Sequence, residues 1–354
     1  MSIDVGTLRQ SWPPPSAPLP IVIVGAGGIV GDAHLPAYRL AGFPVAGIFD
    51  IDRDKARALA AKWDTRAFAT LEEAIATPGA VYDLALPPGA HLDVMPQLRD
   101  GAAVLLQKPM GRDLGEATRI LALARQKRLK AAVNFQLRFS PMALALADAI
   151  DRGWLGRLVD VEMHLNVFTP WELFPFLKGM PRVEIAVHSI HYFDLIRHFL
   201  GNPAGVHARS LGHPATELAQ TRTSALLDFA PDQRVTLTIN HNHDFGRKFQ
   251  DAHFRFEGTA GAAMIKLGLL LDYPKGEPDE LWLTRHGEDW TEVPLAGGWF
   301  PHAFIGTMAN LQRFAAGEDE HLVSSVDDAW HTMALAEAAF ASAATPATPV
   351  RTAP

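Results

Sequence analysis

The pattern of hydrophobic and polar residues changes near residue 140 and divides the chain into two parts. Between residues 20 and 139, short apolar runs alternate with amphipathic stretches of helical spacing. The apolar runs predict five buried strands, at residues 21–24, 45–49, 81–86, 102–106 and 130–135. Repeated strand–helix units of this length indicate a parallel, doubly wound α/β sheet, whose ligand crevice lies at the carboxyl ends of the strands.

A different pattern, with fewer helices and consecutive strands, begins near residue 140. Helices are predicted at 142–152 and 183–200, each followed by a glycine, with an extended run at 158–168 and a Pro- and aromatic-rich loop at 169–181 between them. Strands at 225–229, 234–240, 253–257 and 281–284 follow without intervening helices, which predicts a large, open and mostly antiparallel sheet. A final helix is predicted at 327–343.

These patterns predict two domains behind an N-terminal arm. Residues 11–20 include five prolines, so residues 1–19 are interpreted as a flexible or extended arm. Residues 20–139 form the first domain. Residues 140–354 form an α+β domain, whose last helix is expected to pack back toward the first domain.

Composition narrows the function classes. The 354 residues carry a net charge of −7 with no basic block, so a nucleic-acid partner is not expected. The absence of cysteine excludes disulfides and thiol nucleophiles and is compatible with a cytoplasmic location. No apolar stretch is long enough for a membrane span, and no membrane partner is expected.

A glycine cluster directly after the first strand carries the clearest binding signal. Gly25, Gly27 and Gly28 allow close approach of a pyrophosphate, and the following helix start at Ile29 offers free N–H groups. Asp50 ends the second strand, where an acid suits a ribose 2′-hydroxyl. Val30 occupies the third glycine position of G-x-G-x-x-G, so the motif is incomplete. The arrangement still predicts dinucleotide binding, with NAD preferred over NADP.

Candidate chemistry lies at three further places. Lys108 follows the predicted fourth strand, where it is either a surface lysine or a donor to a substrate hydroxyl. Glu184, His188, His191 and Asp194 share one stripe of a largely apolar helix, so they either pair internally or face a cavity. No metal is predicted, because no third ligand can be identified beside His188 and His191. Arg138, at the domain junction, is either an interdomain salt bridge or a substrate contact.

The chain resembles the glucose–fructose oxidoreductase, inositol dehydrogenase and rhizopine-catabolism (Gfo/Idh/MocA) family. The matching stretches are IVIVGAGGIVGDAHLPAY, GIFDIDRDKARALA, LPPGAHLDVMPQLRDGAAVLLQKPM, VNFQLRFSPM, EIAVHSIHYFDLIRHFLG and SVDDAWHTMALAEAAFASA. Together they cover nearly the whole chain in the order typical of the family. The resemblance implies a Rossmann domain followed by a domain built on an open, mostly antiparallel sheet.

The resemblance also implies roles for individual residues. The glycines would lie under the pyrophosphate, and Pro87, Pro88 and His91 would line the nicotinamide side. Lys108 matches the lysine of the E-K-P motif, and His188 matches the histidine of the D-x-x-x-H-x-x-D helix motif. This chain departs from the family pattern at three positions. Gln107 replaces the usual Glu of the E-K-P motif. In the helix motif, Glu184 stands where Asp is usual, and His191 replaces the second Asp. A strict inositol dehydrogenase is therefore not predicted.

The leading hypothesis is an NAD-dependent dehydrogenase acting on a CH–OH group of a sugar, polyol or related small molecule. His188 would be the general base, Lys108 would stabilise the alkoxide and Glu184 would orient the pair, with Arg138 and His191 as further substrate contacts. The alternatives are an enzyme that recycles tightly bound NAD during isomerisation, epimerisation or glycosidic cleavage, and a non-catalytic nucleotide-binding sensor. A homodimer or homotetramer formed through the second sheet is expected.

Overall fold

A five-stranded parallel sheet organises the first half of the chain. The computed structural model describes residues 4–173 and 177–351. The strands are β1 (Ile21–Val24), β2 (Val45–Phe49), β3 (Val81–Leu84), β4 (Ala103–Leu106) and β5 (Lys130–Val133). Their order is β2-β1-β3-β4-β5, with the reversal of strand order beside β1. The predicted doubly wound sheet is confirmed, with some strands one or two residues shorter than predicted.

Helices connect these strands, in the intervals where the sequence shows amphipathic stretches. They are α1 (Leu35–Ala41), α2 (Arg53–Lys62), α3 (Leu71–Ile75), α4 (His91–Val94) and α5 (Leu114–Gln126). A π-helical turn, Val30–His34, precedes α1. The Thr70 hydroxyl accepts from the Glu73 N–H at 3.1 Å, and the Asp113 carboxylate accepts from the Glu116 N–H at 2.8 Å. These side-chain caps satisfy backbone donors at the first turns of α3 and α5.

The second sheet has eight strands in the order β13-β12-β11-β10-β6-β9-β8-β7. The strands are β6 (Leu158–Asn166), β7 (Gly205–Leu211), β8 (Arg222–Asp228), β9 (Arg234–Asn240), β10 (Asp251–Gly258), β11 (Gly261–Lys266), β12 (Glu280–Arg285) and β13 (Thr291–Glu292). Its pairs are antiparallel except β6 with β9, which run parallel. Helices α6 (Pro141–Asp151) and α7 (Ile190–Leu200) pack on the inner face of this sheet through a shared apolar core. The predicted mostly antiparallel sheet is confirmed.

Two C-terminal helices return to the first domain. Helix α8 (His302–Ala316) buries Phe304 and Met308 in one core with Ile21 and Ile23 of β1. No helix was predicted there, although the apolar and polar residues of α8 follow helical spacing as clearly as those of α2 and α6. Helix α9 (Val326–Ala344) contacts α5 as well as α7 and β7. The second half of the chain therefore completes the packing of the first sheet.

The N-terminal arm lies against the second half of the chain. The Arg9 N–H donates to the Asp148 carboxylate at 3.0 Å, the Trp12 indole donates to Asp319 at 2.7 Å, and Leu8 is buried. Apart from a short 3-10 turn at Val5–Thr7, the described part of the arm has no regular secondary structure. Within the described ranges, no helix combines the length and apolar character that a bilayer span needs.

Candidate active site

The glycine turn after β1 presses its backbone against the neighbouring strand end. Gly25 has φ +111°, and a Cβ there would lie 2.3 Å from the Ala85 carbonyl oxygen. Its N–H donates to the Phe49 carbonyl at 2.7 Å, which ties the turn to the end of β2. Glycine is therefore required at this position by both conformation and space.

The rest of this turn is open and acidic on one side. Gly27 and Gly28 are exposed, Ile29 is half-buried, and no protein atom lies within 4 Å of a Cβ built on Gly27. The Asp50 carboxylate accepts from the Ala26 N–H at 2.7 Å and from the Asp52 N–H at 2.8 Å. A fixed carboxylate beside an uncovered helix start fits the ribose and pyrophosphate of a dinucleotide.

The turn after β3 holds three residues that were expected to line the nicotinamide side, and one of them is buried. Pro87 is exposed and Pro88 half-buried at the end of this strand, where a nicotinamide ring could contact them. His91 has no exposed surface, and burial lowers its pKa to about 4. Contrary to the expectation that it lines the nicotinamide side, the His91 side chain therefore does not open onto the crevice in this structure.

Lys108 crosses from the first domain to the second. Lys108 is half-buried, and its ammonium donates to the Val187 carbonyl at 2.9 Å, 79 residues further along the chain. Burial lowers the pKa of Lys108 to about 8, because the charged form loses hydration. Gln107 accepts from the Lys108 backbone N–H at 3.0 Å and so occupies the place of the expected acid without adding charge. The ammonium lies beside the helix that carries the other candidate residues.

That helix starts with a π-helical turn, Ile185–Ser189, which shifts its polar residues relative to a regular α-helix. Glu184 is fully buried, and both of its carboxylate oxygens accept from the Ser189 hydroxyl, at 2.9 and 2.8 Å. His188 is half-buried, and its pKa is well below the usual value because of burial, with further lowering by His241 and Lys108. A neutral imidazole beside a lysine ammonium can accept a proton.

His191 lies on the same stripe but in a more apolar setting. It is 5% exposed, with its ring edge-on to Phe135 and to Trp299. Burial and the charge of Lys108 lower its pKa well below the usual value. His191 therefore shares the electrostatic environment of Lys108 and is a second neutral imidazole near it.

Sequence reasoning missed a histidine from the second sheet. His241 follows β9, and its ring lies 4.2 Å from that of His188 between centroids. Its Nδ1 is 2.8 Å from the Thr169 hydroxyl, and the Trp171 ring contacts both histidines edge-on. The alternation along β9 could have indicated it, because every second residue, Val235, Leu237 and Ile239, is buried and His241 is the next in that series. The loop that includes Thr169 and Trp171 also contains residues 174–176, which are outside the described residues.

Arg138 does not belong to this site. Its guanidinium donates to both oxygens of Asp194, at 2.5 and 2.6 Å, and pairs with Asp328 at 2.6 Å. Only 3% of Arg138 is exposed. The structure therefore supports the interdomain ion pair, and the expectation of a substrate contact is wrong, because the donors are committed to the buried Asp194 and the half-buried Asp328.

Comparison with known families agrees with this architecture. Residues 19–135 match "Oxidoreductase family, NAD-binding Rossmann fold", and residues 143–264 match the "GFO/IDH/MocA C-terminal domain". The chain belongs to the GFO/IDH/MocA family. The resemblance noted from the sequence is thereby confirmed, and the first domain is the NAD-binding Rossmann domain of an oxidoreductase.

Relatives within and around this family show how far the likeness extends. An inositol 2-dehydrogenase from Leifsonia xyli is 29% identical over 263 residues, which cover 67% of this chain and 73% of that protein. A levoglucosan dehydrogenase in complex with NADH and levoglucosan superimposes with a TM-score of 0.77 at 17% identity, over 93% of this chain and 98% of that one. An oxidoreductase from Agrobacterium radiobacter in complex with NAD+, L-tartaric acid and magnesium has a TM-score of 0.75 at 19% identity, over 93% and 97%. At these identities the two structures establish the shared fold.

Proposed function

We propose that this family member is an NAD-dependent dehydrogenase that acts on a secondary alcohol, or the corresponding carbonyl, of a sugar, polyol or related small molecule. One observation carries the proposal. The Lys108 ammonium reaches from the nucleotide-binding domain to the backbone of the helix that carries His188, at 2.9 Å from the Val187 carbonyl. This contact supports a site in which a charged donor and a neutral proton acceptor would meet at the end of the nucleotide crevice.

When bound, the nicotinamide ring would supply the hydride chemistry. His188 would accept the hydroxyl proton, because its depressed pKa keeps the imidazole neutral. Lys108 would donate a hydrogen bond to the same substrate oxygen and stabilise its developing negative charge. Glu184, held by Ser189, would orient the imidazoles rather than touch the reacting atoms.

Cofactor preference is part of the proposal. Asp50 is fixed by two backbone N–H groups, and the carboxylate can accept from a ribose 2′-hydroxyl but repels a 2′-phosphate. We therefore expect NAD to be preferred over NADP. The names of the relatives, an inositol 2-dehydrogenase and a levoglucosan dehydrogenase, support a polyhydroxylated substrate.

A substrate screen tests this function. Sugars, polyols and their lactones would be incubated with the protein and NAD or NADP, and reduced nucleotide and organic product would be measured separately. Net NADH formation from one of these substrates is the expected result. Product formed without net NADH would favour the recycling enzyme, and tight NAD binding without any product would favour the sensor.

A further inference from the structure

Three potential metal ligands converge where the sequence offered only two. Glu184, His188 and His241 each present one ligand atom, and these atoms lie within 4.8 Å of one another. The Glu184 Oε1 and His241 Nε2 atoms are 3.6 Å apart. Two ligand atoms of a tetrahedral zinc ion with bonds of about 2.0–2.1 Å are separated by roughly 3.3 Å. The Glu184–His241 pair is close to this spacing, and a pair as far apart as 4.8 Å would have to close by roughly 1.5 Å to share one ion.

Among the residues described, this cluster holds a buried carboxylate without a cationic partner and ring nitrogens without hydrogen-bond partners. Glu184 is fully buried, and its recorded hydrogen-bond donor, Ser189, is neutral. In the part of the chain that the structure describes, neither His241 Nε2 nor His188 Nδ1 has a hydrogen-bond partner. Lys108 does not neutralise the carboxylate directly, because its ammonium donates to the Val187 carbonyl. A buried carboxylate without a cationic partner is costly, and a bound cation would remove that cost.

Supporting contacts already orient two of the three ligands. The Thr169 hydroxyl lies 2.8 Å from His241 Nδ1, which leaves Nε2 as the ring atom that faces Glu184. The Ser189 hydroxyl holds the Glu184 carboxylate from its own helix. Metal-binding histidines and carboxylates characteristically have such partners, which fix the ring orientation and raise ligand basicity.

We propose that Glu184, His188 and His241 form a binding site for a zinc-like divalent transition-metal ion. Two imidazoles and one carboxylate suit Zn²⁺, and three protein ligands leave a fourth position for water or another small ligand. Mg²⁺ and Ca²⁺ prefer oxygen ligands and are expected to bind poorly. If the proposed function is correct, zinc also inhibits turnover reversibly, because the metal occupies the imidazole that would accept the substrate proton.

Metal binding is measured first, without any substrate. The full-length protein would be freed of metal with a chelator, dialysed and titrated with Zn²⁺ by calorimetry, with bound metal counted by mass spectrometry. One Zn²⁺ per chain is expected, and Co²⁺ should give the visible absorption of a tetrahedral site. Wild-type protein that binds no Zn²⁺ would overturn the proposal.

Variants identify the site. His241→Ala and Glu184→Gln should each weaken zinc binding by roughly a hundredfold or more, and Thr169→Val by about tenfold, since the last removes only a supporting contact. His253→Ala is the matched control, because His253 lies on the second sheet, 2.8 Å from the Asp251 carboxylate and stacked on His164. Loss of the bound zinc in the control, with retention in His241→Ala and Glu184→Gln, would overturn the assignment. Circular dichroism of the metal-free variants shows which are folded, and Glu184→Gln preserves side-chain size if His241→Ala does not fold.

The two proposals fail separately. Zinc bound at this cluster in a protein that turns over no substrate would leave the metal site standing and remove the proposed dehydrogenase. Turnover in chelator with no zinc binding would do the reverse. Zinc that binds and leaves turnover unchanged would contradict the inhibition and show that His188 is not needed as a free base.

Discussion

The nucleotide crevice and the cluster of Glu184, His188 and His241 with the neighbouring Lys108 are held together by different kinds of contact. At the crevice, the Asp50 carboxylate accepts from the Ala26 N–H, and the two residues are 24 positions apart in one strand–turn–helix–strand unit. At the cluster, Lys108 contacts the Val187 carbonyl across 79 positions, and Thr169 contacts His241 across 72. The first site depends on local backbone geometry, and the second depends on packing of distant segments. Substitutions should therefore separate nucleotide binding from chemistry.

The largest expected effect is at the cluster. His188→Asn retains a polar side chain but removes the proton acceptor, so turnover should fall by about two to four orders of magnitude. The NAD dissociation constant should change little, because His188 lies outside the glycine turn. Steady-state kinetics in the presence of a chelator, with NAD binding followed by fluorescence, would measure both. Loss of nucleotide binding or of the fold would instead indicate a structural histidine.

Lys108→Met is expected to lower turnover by at least about a hundredfold, because it removes the charge that stabilises the substrate oxygen in the transition state. Turnover should suffer more than substrate affinity, since this interaction strengthens as the alkoxide forms. Lys108→Arg should restore little activity, because the planar guanidinium does not replace a compact ammonium. Full activity of Lys108→Met on the true substrate would contradict the proposed role.

Asp50→Ser tests the other region. Loss of the carboxylate should weaken NAD binding roughly tenfold and narrow the preference over NADP, because a charged acceptor is lost and the repulsion of a 2′-phosphate is relieved. Dissociation constants for both nucleotides would measure the change. Arg53, the first residue of α2, could contact a 2′-phosphate, so Asp50→Ser/Arg53→Ala is the companion variant. Equal or better efficiency of the wild type with NADP would contradict the assignment.

The smallest expected effect is a pH dependence from Lys108. Burial lowers its pKa to about 8, so the donating ammonium is present below that pH and is lost above it. Turnover should fall to about half near pH 8 and to roughly a quarter near pH 8.5. Residual activity of Lys108→Arg should lack this decline, since guanidinium remains charged throughout. The same basic limb in both proteins would assign it to another group.

Arg138 is a residue whose role could not be assigned from its position in the chain. The sequence left it between an ion pair and a substrate contact, and its pairs with the buried Asp194 and the half-buried Asp328 place it at the domain junction. Position in the chain could not distinguish these roles, because the partners come from α7 and α9.

By itself, the sequence determined the features that depend on neighbouring residues. Most strands and helices, the glycine turn and the acid at Asp50 follow from local periodicity, backbone freedom and hydrogen bonding within short segments. Family resemblance added Lys108 and His188 as candidates. Only the tertiary structure brought His241 to Glu184 and His188, and buried His91. The physical reason is that contacts between distant segments depend on how whole sheets and helices pack, which no local pattern encodes.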